Sequence, residues 1–90
     1  MNNARRKLLA KILDDAAPIA GLIEDIKARL EEIKDAEREA YDNMPASLQE
    51  GERGQQASAA ADALDEAFDE LEEAFNAFDN LAGHIETASE

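Results

Sequence analysis

Twenty-two carboxylates and one histidine, His84, are the groups in this 90-residue chain whose types suggest chemistry. Acidic helices can hold a di-iron centre, but that needs two Glu-x-x-His pairs directed inward. Only His84 is present, and the residue three before it is Leu81. A calcium loop needs oxygen ligands at alternate positions, a central glycine and a closing glutamate; DNMPASLQEGER lacks that spacing. With no cysteine and a lone histidine there is no supported nucleophile–base pair. The expectation is therefore a protein with no catalytic, cofactor-binding or metal-binding residues. His84 is expected to cap or decorate the last helical turn, where a cation favours the helix dipole.

The acids are informative through their placement. All nine Lys and Arg lie at or before Arg53, against twelve acids, whereas residues 54–90 hold ten acids and no base; the two parts carry −3 and −10 of a net −13. Asp62, Asp65, Glu66, Asp69, Glu70, Glu72, Glu73 and Asp79 form the expected acidic outer face of the second half. Two readings stand: a solvated or salt-adapted face, or recognition of a basic surface. Duplex DNA carries one charge per ~1.7 Å of axis. A dimer of this chain, over a bundle of about 55–60 Å at 1.5 Å per residue, would carry about one net charge per 2.2 Å.

Positioning these groups falls to helices. Few aromatics and six Gly plus Pro argue against strands. In the first half Leu9, Ile12, Ala16, Ile19, Ile23, Ile26, Leu30 and Ile33 recur at alternating steps of three and four, a heptad seam, continued by Glu37, Ala40 and Met44. Leu8, Leu13, Leu22, Ala36 and Tyr41 widen the stripe toward the face expected of a bundle helix. Glu37 is the polar exception on the seam, either fixing register through Arg38, Arg29 or Arg53 or lying at a wet bundle end. The second seam is Ala57, Ala61, Leu64, Phe68, Leu71, Phe75, Phe78, Ala82 and Ile85, flanked by Ala60, Ala67, Ala74 and Leu81. The fold expected is all-α: a single helical-hairpin domain over 1–90, with helix 1 at about 3–43, a connection at about 44–56 and helix 2 at about 57–87. Pro18 removes a backbone donor and crowds the carbonyl of Asp14, which predicts a kink or break near 17–18. Two wide stripes exceed what one hairpin covers, so two hairpins are expected to pair as an antiparallel four-helix bundle.

Within the connection, Ser47 and Glu50 have capping-box spacing, so a short helical turn can start there before Gly51 and Gly54. Tyr41 is expected to pack on the seam end and Arg53 to reach acids. The segment YDNMPASLQEGERG, with Tyr41, Asp42, Asn43, Pro45, Ser47, Leu48, Gln49, Arg53 and Gly54, resembles the central segment of small acidic helical proteins of bacteriophages, prophages and plasmids. The basic MNNARRK stretch and the acid- and alanine-rich second half are similar to that group too, whereas Pro18 and Gly21 depart from its uninterrupted first helix. The resemblance implies a mobile-element context and assigns no role to any residue.

No uninterrupted apolar run reaches signal-core or spanning length, because Lys11, Asp14 and Asp15 break the only candidate. A cytoplasmic protein without a membrane partner is expected. Arg5, Arg6, Lys7 and Lys11 read as a solvated helix end, with anionic lipid or nucleic acid as the alternative. The function expected is that of a non-enzymatic acidic binding protein, homodimeric, meeting a basic surface of another protein and not nucleic acid directly. A DNA-mimic inhibitor of a host nucleic-acid-binding or defence enzyme is one form of this. The alternative is a structural or assembly factor working through apolar bundle surfaces.

Overall fold

A computed structural model describes all of residues 1–90 as an antiparallel pair of long helices, α1 (Asn3–Asp42) and α3 (Glu52–Ser89), joined through the one-turn helix α2 (Ala46–Gln49). There are no strands. The molecule is a rod of 68 × 15 × 14 Å, longer than the estimate above; α1 keeps to its expected bounds, whereas α3 outruns its own at both ends. Asn2 starts α1 by accepting from the Arg5 backbone N–H at 2.8 Å. Pro45 stops α1 from continuing and opens α2, its carbonyl accepting from Leu48 and Gln49 at 2.9 and 3.0 Å.

Pro18 does not break α1, which is continuous from Asn3 to Asp42. Asp14 and Pro18 both lie on the exposed side, so water can solvate the carbonyl that the proline leaves unbonded. The second long helix begins at Glu52, five residues before the expected start at 57. Gly54 is not a weak point there. It is buried, and a Cβ at this position would collide with the Gln49 backbone. Glycine is what lets the end of α2 rest on the first turn of α3. Gln49 also donates from Nε2 to the Tyr41 carbonyl at 2.9 Å, tying α2 back to α1. Ser47 makes no capping bond, because the turn starts at Ala46 with Pro45 in the cap position.

The α3 seam is placed as its spacing predicts: Ala61 is fully buried and Ala57, Leu64, Phe68, Leu71, Phe75, Phe78, Ala82 and Ile85 are half-buried. The α1 seam is rotated from the expected one. Leu9, Ala16, Ile23 and Leu30 face α3 with Leu13, Ala20, Lys27, Lys34 and Tyr41, while Ile12, Ile19 and Ile33 remain 46–58 % exposed. The stripe on α1 is wider than one neighbour can cover. The rotation adopted brings Lys27 and Lys34 over α3, where their stems add apolar contact and their amines meet acids. The hairpin closes without a deep core; Ala61 and Gly54 alone are buried.

Candidate interaction surface

The basic side chains of α1 that reach α3 form a ladder. Arg38 donates to Asp62 at 3.1 Å and to Asp65 at 3.0 Å, Lys34 lies 3.7 Å from Asp65, and Lys27 lies 3.2 Å from Glu72. Donating to the Asp62 and Asp65 carboxylates raises the pKa of the Arg38 guanidinium above its ordinary value, so it is charged throughout the working range. Lys27 and Lys34 also stand 5.2 and 5.0 Å from the centre of the Phe68 ring. Each lysine thus meets an acid with its amine and an aromatic face with its charge and stem.

Asp65, Glu72, Asp79 and Glu86 recur every seven residues along one flank of α3. Their α1 counterparts run Lys34, Lys27, Ala20 and Leu13, so the bases stop halfway. Where they stop, a groove of about 290 Å³ opens, floored by Leu13, Ala16, Ala20, Phe75 and Phe78 and edged by Asp79 and Glu86. Asp14 adds a third carboxylate to its rim. Small residues on α1 cause the gap, since Ala16, Ala17 and Ala20 cannot fill the space beside the two phenylalanines.

The eight acids proposed from sequence as one face therefore divide. Asp62, Asp65 and Glu72 are tied to α1, whereas Glu66, Asp69, Glu70, Glu73 and Asp79 are exposed and have no ion-pair partner. Asp14, Ala20, Phe75 and Glu86 were not foreseen as part of this surface. The seven-residue repeat of acids was a usable signal, but its pairing with lysines needed the register of the two helices. Of the connection residues, Tyr41 packs half-buried as expected and Gly54 makes the close approach described above. Arg53 reaches no acid, because the early start of α3 leaves it exposed on the first turn. Glu37 is half-buried without an ion-pair partner; Arg38 is taken by α3 and Arg29 sits 3.7 Å from Asp25 on its own helix. His84 is exposed and caps nothing. It decorates the helix surface, and the capping role falls to Arg6, which donates to the Ser89 and Glu90 carbonyls at 3.0 Å each and clasps the open end of the hairpin.

The opposite long side is apolar. Leu8, Ile12, Ile19, Leu22 and Ile33 of α1 are 46–66 % exposed, and Ile26 lies between them with Arg29 in a shallow hollow. On α3 the flank on this side is Ala60, Ala67, Ala74 and Leu81. In an antiparallel pair, the same sense of rotation from the shared seam leads to the same side, so both rows belong to one face. No helix is long and apolar enough to cross a membrane, and no three His, Cys, Asp or Glu side chains converge as a metal site. Comparison with protein-family models, with curated proteins and with solved structures finds no match.

Proposed function

We propose that this chain is a non-enzymatic acidic binding protein whose α3 engages a basic surface of another protein. The observation that carries the reading is the half-finished ladder: intramolecular bases neutralise Asp62, Asp65 and Glu72, and leave Asp79 and Glu86 over an apolar groove with Glu66, Asp69, Glu70 and Glu73 outside. Lys27 and Lys34 show what chemistry such a place accepts, a cation on an aliphatic stem against acid and aromatic ring. The resemblance of the connection to small acidic mobile-element proteins supports a host nucleic-acid-binding or defence enzyme as the target, with the acids standing in for phosphates. Two copies, at twice the net charge of −13 over a 68 Å rod, give about one charge per 2.6 Å against ~1.7 Å for duplex DNA.

Affinity capture from host lysate, washed at about 50 and then 200 mM salt, tests this. A true partner elutes over that range and is lost when Glu66, Asp69, Glu73 and Asp79 are changed to Lys. These acids are chosen because they hold no intramolecular pair. Retention of the same partner at low salt by the reversed protein overturns the reading.

A second reading is favoured by the exposed Leu and Ile row of α1. Here the chain is a structural or assembly factor acting through apolar surfaces, with two hairpins joined as an antiparallel four-helix bundle. Association through that row is insensitive to the same salt change.

A further inference from the structure

The molecule exposes more surface than a single chain of its mass should. Its accessible area is 6516 Å², against about 5,200 Å² for a compact monomer of 9.8 kDa. The excess of about 1,300 Å² is more than the ~800 Å² that each partner contributes to a stable interface. The apolar face is where this excess can be covered, and a second copy of the chain presents a matching face.

Resting on the self-association reading above, we infer that two hairpins pair with α1 of each lying on α3 of the other, about a two-fold axis parallel to the helices. Charge decides between this and the alternative. An axis across the helices lays α3 beside α3, and each α3 carries ten acids against one base. The parallel axis keeps the two α3 helices on a diagonal and sets each against α1, whose eight bases and ten acids nearly cancel. Size also fits: the Ile and Leu row of α1 meets the Ala60, Ala67 and Ala74 flank of α3, large against small.

The same axis fixes the register, because rotation about it leaves every residue at its own height along the rod. Heights are known from the intramolecular ladder, where Lys34 is level with Asp65 and Lys27 with Glu72. Moving along both helices from these pairs, Leu22 is level with Ala77, Arg29 with Glu70 and Asp15 with His84. On the outer edge of the joint face, Leu22 then meets Ala77 of the second copy. The two polar interruptions of the α1 row meet opposite or complementary groups: Arg29 meets Glu70 of the second copy, and Asp15 meets His84. Within one chain Arg29 and Asp15 have only exposed i,i+4 partners, Asp25 and Lys11, so both can turn toward a new neighbour.

Light scattering and sedimentation of the full chain test the arrangement. The wild type is expected to be a dimer at micromolar concentration, and Leu22→Glu a helical monomer. Arg29→Glu places like charges together twice per dimer and should raise the dissociation constant about tenfold. Adding Glu70→Arg to that variant restores opposite charges only when α1 lies on the other copy's α3, and should recover most of the loss. A wild-type monomer overturns both self-association and this arrangement. A dimer that Leu22→Glu abolishes, but that Arg29→Glu weakens without rescue by Glu70→Arg, or does not weaken at all, keeps self-association and overturns the α1-on-α3 pairing.

Discussion

The half of the hairpin near α2 and the half at its open end are built from the same two helices and held by different means. Near α2, Gly54 lets the Gln49 backbone sit on α3, and Arg38, Lys34 and Lys27 reach across to three acids with Phe68 beneath the lysines. At the open end no base crosses to the flank of α3. Ala16 and Ala20 leave a groove beside Phe75 and Phe78, and Arg6 fastens the last carbonyls from outside. Along the α3 flank that meets α1, one half pairs its acids with bases of α1 and the other does not. Regions that bind are commonly the less self-satisfied ones, because an interaction already made within the chain is not free to be made with a partner.

The largest way to break the contrast is at its tight end. Gly54→Val should destabilise the hairpin by about 2–3 kcal/mol or more, since the clash is with backbone and cannot be relieved by a side-chain rotation. Thermal unfolding followed by circular dichroism measures it, and a wild-type melting temperature would show that α2 can lift from α3 at little cost.

Filling the open half should act in the other direction. Ala20→Leu places methyl groups in the groove and is expected to stabilise by about 1 kcal/mol. Ala20→Lys should extend the ladder to Asp79 and weaken capture of a basic partner in the same step. Stabilisation without any change in capture would separate the groove from the binding surface.

Smaller is the effect of the clasp. Arg6→Ala frees the Ser89 and Glu90 carbonyls and should cost about 0.5–1 kcal/mol, read most clearly as faster amide exchange over the last turns of α3 and no change near α2. The smallest effect is expected for Arg38→Gln, a slight fall in melting temperature that vanishes in high salt, because its bonds to Asp62 and Asp65 are made at the surface. A fall that persists in salt would mean that Arg38 acts by packing its stem.

The all-helical character, the two long helices and the α3 seam were legible in the residues alone, because a three-and-four apolar spacing with few glycines admits little else. The sequence also pointed to a helical turn after Pro45, but not to the early start of α3 at Glu52. It did not determine which part of the α1 stripe faces inward: Leu9, Ile12 and Leu13 are equally apolar, and the rotation seen, with Lys27 and Lys34 beside Glu72 and Asp65, depends on both helices together. Nor did it reveal Gly54 as a contact, since a glycine in a turn-rich segment reads as a weak helix former until the Gln49 backbone is seen against it. Eight acids on one helix look like one surface in a sequence. The tertiary structure divided them, because ion pairing depends on distances across the hairpin, and those are set by a register that no residue on α3 encodes alone.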